Sequence, residues 1–290
     1  MMTTAIVTIV SAASAGDGPA WQVLVDTEDV VPGTDVPFLS FGQPSINGDG
    51  VVVFRGRTAG PGQPIRGVFR IRTGVPNGGI EILADTTSTV PDPNNTEYPP
   101  GSGTLARFLE FPSLPRIDRG SDLAATRGQS QPTWTYLLPD GSESRVGSAG
   151  VFAGDGADPL TAVGQFGAVR DAESGDLVFP WFSVPGFPEG TRFDQFPGSP
   201  AVSDGRFVVF KGNFIDPDTG EGMTGVYVRD LSAGSEAPVR RLADSATPIP
   251  GQASGDMVNF GSTAPPSAEA GHAVFVGLDI EAAPTMGGIY

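Results

Sequence analysis

The 290 residues carry a formal net charge of −16, and a single lysine, Lys211, stands among 17 basic residues; so acidic a chain repels phosphate backbones and anionic lipid, which excludes nucleic acid as a partner. Cysteine is absent and His272 is the only histidine, which excludes a disulfide framework, a thiolate centre and any zinc site needing two His or Cys. No apolar run reaches the length of a spanning helix, so no membrane insertion is expected, and 41 Gly with 28 Pro punctuating short Val/Ile/Phe runs predict many short strands with little helix.

In chain order, residues 1–20 open with an apolar stretch, Ala5–Val10, and an Ala13-Ser14-Ala15 triplet. The triplet resembles a signal-peptidase site, but no basic region precedes it, and the alternation reads as a strand. Trp21–Asp26 follows as a strand ending Leu-Val-Asp. One pattern then recurs four times. Its first element is Pro44-Ser45-Ile46-Asn47, Pro115-Arg116-Ile117-Asp118, Pro200-Ala201-Val202-Ser203 and Pro266-Ser267-Ala268-Glu269, each preceded by an aromatic: Phe41, Phe111, Phe196, Phe260. An apolar run follows, closing on Gly56, Gly128, Gly212 and Gly277. Then come Gly67-Val68-Phe69, Gly150-Val151-Phe152, Gly225-Val226-Tyr227 and Gly288-Ile289-Tyr290. The fourth element is Leu83-Ala84-Asp85, the degenerate Val163-Gly164-Gln165 and Leu242-Ala243-Asp244, of the same kind as Leu24-Val25-Asp26.

Such a unit cannot bury its own apolar face and must stack on its neighbours. Four short antiparallel strands per unit predict an all-β, β-propeller-like ring of four blades, with five partial blades as the alternative count. The units are 21–79, 80–159, 160–240 and 241–290 of one domain spanning 1–290. Proline falls only in the first strand, which is therefore an edge and, on this plan, innermost. Gly288–Tyr290 is a third strand without a fourth and Trp21–Asp26 a fourth without a third, so joining them closes the ring. A piece of a longer array is the rival reading.

Asn47-Gly48-Asp49-Gly50-Val51-Val52-Val53-Phe54 carries the Asn, the Gly and the closing Val-Phe of a motif written N-x-x-G-x-x-x-(A/V)-F. Gly271-His272-Ala273-Val274-Phe275 repeats the second half with Ala268 in place of Asn, Ser203–Phe210 is a shifted copy, and Ile117–Thr126 is the poorest. In this the chain resembles bacterial tandem-repeat proteins that are similar to propellers and often exported. The resemblance implies a fold and an extracellular or cell-surface location, and no activity.

The connections from fourth to first strand and from second to third are mostly long and share one face, where binding residues are expected. That face should carry Arg55, Arg127 and Lys211, three cations in one register. They could ring an anionic group such as a uronate, sulfate or carboxylate, or pair with Asp26, Asp85 and Asp244. Two positions break the repeat: Arg116, in a register otherwise held by Ser45, Ala201 and Ser267, and Glu110, set against Ser40, Gln195 and Asn259. A ligand contact or a mutual ion pair would each account for them. Trp134, with Tyr136, and Trp181, with Phe182, lie in the longest insertions and read either as sugar-stacking platforms or as plugs.

His272 reads as a strand or rim residue. No Gly-x-Ser-x-Gly elbow or Gly-Lys-Ser/Thr loop is present. Asp216-Pro217-Asp218-Thr219-Gly220-Glu221 is oxygen-rich, as is Asp171–Asp176, but each is shorter than an EF-hand loop, so no cofactor is expected and calcium is the minor alternative. The functional expectation is an exported or surface module binding a glycan or protein on its long-loop face. The alternatives are a polysaccharide-acting enzyme, either a two-carboxylate hydrolase or a uronate lyase using an Arg with Tyr98 or Tyr136, and a structural envelope or matrix repeat.

Overall fold

The computed structural model describes residues 22–58, 64–75, 79–137, 143–156, 159–165, 169–170, 174–252 and 257–290. Residues 1–20 and Trp21, including the strand-or-signal segment, lie outside them. The described chain is all-β, with two single 3-10 turns at Pro180–Phe182 and Leu231–Ala233.

The first sheet holds β1 (Phe38–Phe41), β2 (Ser45–Ile46), β3 (Val51–Thr58), β4 (Arg66–Arg72) and β5 (Glu81–Asp85) in the order β1-β3-β4-β5, with β2 also on β3. The first strand of the unit is thus split in two. Phe38–Phe41 runs along Gly56–Thr58, and Ser45–Ile46 along Val52–Val53; the break falls at Gly42-Gln43-Pro44, where proline removes a ladder donor. The second sheet repeats this with β6 (Phe108–Glu110), β7 (Arg116–Ile117), β8 (Ala124–Leu137), β9 (Glu143–Gly154) and β10 (Leu160–Val163). A separate hairpin, β11 (Val169–Arg170) with β12 (Leu177–Val178), precedes the third sheet of β13 (Ala201–Ser203), β14 (Phe207–Ile215), β15 (Gly222–Asp230) and β16 (Arg240–Asp244). The fourth unit forms β17 (Ser262–Thr263), β20 (Val276–Leu278) and β21 (Gly287–Ile289), with β18 (Ser267–Glu269) and β19 (His272–Val274) as a hairpin. Every pairing is antiparallel; β2, β7 and β13 each pair on one side only, and β18 pairs with β19 alone.

Each sheet packs face to face with the next. Val51, Val53, Val68, Leu83 and Ala84 of the first sheet meet Phe108, Phe111, Ile117, Ala124 and Phe152 of the second. Leu123, Ala125, Val151 and Val163 of the second meet Phe193, Phe196, Val202, Phe210 and Tyr227. Val209, Val226 and Ala243 of the third meet Phe260, Phe275 and Tyr290. Burying each such side chain contributes about 1.5–3 kcal/mol, so the stack is held chiefly by these three interfaces. Short turns reinforce it: the Asn47 amide donates to the Ser121 carbonyl at 2.9 Å, Gly205 N–H to Asp118 at 3.1 Å and Gly271 N–H to Ser203 at 3.2 Å.

Three expectations need correction. The insertion carrying Trp134 and Tyr136 extends β8 and β9 into one long hairpin instead of forming a loop, because Thr133-Trp134-Thr135-Tyr136 is built from β-branched and aromatic residues that favour extended chain. The aromatic Phe260 belongs with Phe38, Phe108 and Phe193, not with Phe41: a Cβ on Gly277 would strike Phe260 just as one on Gly56, Gly128 or Gly212 would strike those rings. The pattern is therefore Phe-x-x-Phe in three units and Phe260-x-x-Thr263 in the fourth, and Ser262, not Asn259, shares the register of Glu110. Finally, among the described residues no ladder joins 22–26 to Gly287–Tyr290. Leu24 and Val25 pack instead on Val31, Phe38 and Phe54 of the first sheet.

Candidate functional site

The site begins from the Gly that ends each second strand. Gly56 faces Phe38 so closely that any Cβ would sit 2.8 Å from the ring. That close approach draws β1 onto β3, with Arg55 and Arg57 on either side of Gly56. In the β3–β4 ladder Arg57 stands directly opposite Arg66. Like charges directly across a ladder are destabilising unless something compensates.

Compensation comes from the second sheet. Glu110 on β6 pairs with Arg66 at 3.2 Å, both about one-third exposed, and its other oxygen accepts the Phe111 N–H at 3.0 Å. The Arg55 guanidinium crosses the same junction to donate to the Phe111 carbonyl at 2.9 Å. These groups, with Ser40, Gly42 and Pro112, line a cleft of about 370 Å³ between the first and second sheets. Three arginines face one carboxylate there, a local excess of two positive charges on a strongly acidic chain.

The same register gives a different surface at the next junction. Arg127, Gln129, Ala149, Gln165, Asp194 and Gln195 line a cleft of about 600 Å³ between the second and third sheets, and burial pushes the Arg127 guanidinium pKa down. At the third junction stands Lys211, whose pKa is lowered by burial against an opposing pull from Glu281. In that register Asn213 and Thr224 replace Arg57 and Arg66. The cationic excess is concentrated at the first junction.

Of the residues read from sequence, the structure brings Arg55 and Glu110 together in one cleft and puts Arg127 in another, so the register cations do not share a single mouth. They do not pair with the strand-end aspartates either. Asp85 accepts from Thr87 and Ser88, and Asp244 from Arg241, Ala246 and Thr247, each closing its own turn. Arg116 is exposed on β7 and is not the partner of Glu110, because Arg66 lies closer across the junction. Trp181 packs against the second interface core, edge-on to Phe179 and Phe182 at 5.4 and 6.0 Å, with its indole N–H buried; it plugs its loop. The backbone of Trp134 pairs with Val146, and its side chain lies outside the described residues. Sequence reasoning missed Arg57 and Arg66. The signal was present in an arginine on each side of the second-to-third connection, but only strand register shows that they face each other.

His272 is exposed on β19 opposite Glu269. The Asp216–Glu221 segment is the β14–β15 turn, with Asp216 accepting from Asp218 and Thr219. Asp171 to Glu173 lie outside the described residues. No protein-family model matches the chain, and no curated protein matches it.

Proposed function

We propose that the four sheets are blades of a propeller-like stack, exported or carried at the cell surface, and that the cleft between the first two blades binds an acidic glycan through its carboxylate or sulfate groups. The observation that carries this reading is the cross-strand apposition of Arg57 and Arg66, with Arg55 beside them and a single carboxylate in answer. Planar guanidiniums grip carboxylate and sulfate oxygens through paired hydrogen bonds. A bound anion would also relieve the like-charge contact that Glu110 answers only in part. Hydrolysis of a glycoside calls for two carboxylates flanking the bond, and among the described residues lining this cleft Glu110 is the one carboxylate, already engaged by Arg66. Binding is the reading the cleft supports.

Calorimetric titration with oligogalacturonate and with a sulfated oligosaccharide tests it. Arg57→Ala with Arg66→Ala should weaken binding by about tenfold or more, the scale of one lost charge-assisted pair, while Glu110→Gln should tighten it by freeing Arg66. Absence of binding to either probe, or affinity unchanged in the double variant, overturns the proposal.

A further inference from the structure

The arginine cleft has a counterpart one sheet further along the stack. Strand register equates Arg55, Arg57 and Arg66 with Arg127, Gln129 and Ala149, since Gly56 lies opposite Gly67 and Gly128 opposite Gly150. On the facing sheet the Phe-x-x-Phe-Pro spacing equates Glu110 and Pro112 with Gln195 and Pro197. The first set lines the cleft between the first and second sheets, and the second set lines the cleft between the second and third. The two clefts are thus one piece of architecture built twice with different side chains.

They also share a wall. On β6, Glu110 faces the first cleft and its neighbour Leu109 lines the second. Arg66 holds that wall from the first cleft, pairing with Glu110 at 3.2 Å and donating to the Leu109 carbonyl at 3.4 Å. Stacked sheets lie about 10 Å apart, so the openings adjoin, and a chain of a few sugar units reaches from one to the other.

The second cleft is chemically simpler. Of the register arginines only Arg127 remains; it is half-buried, and its guanidinium has no hydrogen bond or ion pair among the described residues. Asp194, the one carboxylate lining the cleft, stands 3.8 Å from Arg192. Gln165 is spent in lacing the sheets, accepting the Ala149 N–H and donating to the Asp194 carbonyl, both at 3.3 Å. Gln129 and Gln195 are exposed, and neither amide is bonded within the described chain. One unanswered cation therefore stands between two free amides. Partial burial of a charge without a partner is costly, and a bound anion offsets that cost. The third junction differs: Thr224, in the register of Arg66, meets Thr263 across it at 3.0 Å, and Glu281 is near enough to act on Lys211.

We infer that the second cleft is a further subsite for the same acidic glycan, Arg127 taking an acidic group and Gln129 and Gln195 the hydroxyls beside it. The ligand is accordingly an oligosaccharide long enough to cross the β6 wall, not a single sugar. This rests on the binding reading of the first cleft.

Chain length separates the two. Calorimetric titration should show a long oligogalacturonate binding the parent about tenfold or more tighter than the disaccharide, because the second contact is made within one tethered chain. Arg127→Gln should remove that advantage while leaving the disaccharide affinity and the melting temperature unchanged. Gln129→Glu, at an exposed position, should do the same by repelling the chain. Arg57→Ala with Arg66→Ala should instead weaken both ligands. Equal affinity of the parent for the two lengths, or a length advantage that survives both second-cleft variants, overturns the subsite and leaves the first cleft standing. Failure of both lengths to bind overturns the first-cleft reading and this inference with it.

Discussion

Tyr227 and Arg229, two positions apart on β15, show how differently a buried polar group can be tolerated. The Tyr227 ring stacks on Phe210 and meets Phe193 edge-on in the same register as Phe69 and Phe152. Its hydroxyl is buried without a hydrogen-bond partner among the described residues, and burial, aided by nearby Asp244, pushes the phenol pKa far up. An unsatisfied buried hydroxyl costs about 1–3 kcal/mol. Tyr227→Phe should therefore raise the unfolding free energy by about 1 kcal/mol in a denaturant titration; a loss of stability would show that the hydroxyl has found a partner. Arg229 is the opposite case. It is fully buried with no ion pair among the described residues, and burial lowers its guanidinium pKa to about 10, which leaves it charged at neutral pH. Its donors are nonetheless all used: Nε on the Ala237 carbonyl at 2.9 Å, and the two terminal nitrogens on Thr161, Ala162, Gly234 and Ser235. It sews the third sheet to β10 of the second. Nothing in its sequence neighbourhood, Val226–Asp230, distinguishes it from the exposed arginines, because its role depends on carbonyls nearly seventy residues away.

At the scale of the strand, the repeated glycines are crossing points where side-chain-free backbone lets an aspartate-ended fourth strand lie close. On Gly225 a Cβ would fall within 2.6–2.8 Å of the Tyr227 hydroxyl, the Asp244 side chain and the Ala243 carbonyl. Gly225→Ala should cost about 1–3 kcal/mol through overpacking. Gly288→Ala should leave the melting temperature within a degree or so, since only a movable ring lies near. Equal losses in thermal unfolding would mean that a fourth strand covers β21. The Gly-Val-Phe signature was legible in the sequence for this reason: the same steric demand recurs in the first three units. The splitting of the first strand and the lengthening of β8 and β9 were less so, because they depend on how far an edge strand can keep pairing once proline interrupts it.

For the molecule as a whole, stability should be graded along the stack. In a stacked array each unit draws its stability from its own sheet and from its neighbours. The second and third sheets are covered on both faces, whereas among the described residues the fourth is covered on one, and its second strand is broken at Phe275. Native-state hydrogen exchange should therefore find the Val276–Leu278 and Gly287–Ile289 amides opening at far lower free energy than those of Val208–Gly212. Uniform protection across the four sheets would contradict a stack of separable units. The same accounting places the arginine cleft on firm ground, since it sits at a junction whose two sheets share a complete apolar interface.

What the sequence determined by itself was the unit: which residues turn, which run extended, which face is apolar, and that the unit repeats four times. Those are local matters of proline, glycine and alternation, and they act over a few residues. Arg55 was visible as one of three cations set in the same register of the repeat, and Glu110 as a departure from it, for the same reason. That they share a cleft, that Arg57 opposes Arg66 and that Trp181 packs against an interface core were decided only by the tertiary structure. Register and sheet stacking bring together residues remote in sequence, and no local pattern encodes which of two equivalent neighbours a face will meet.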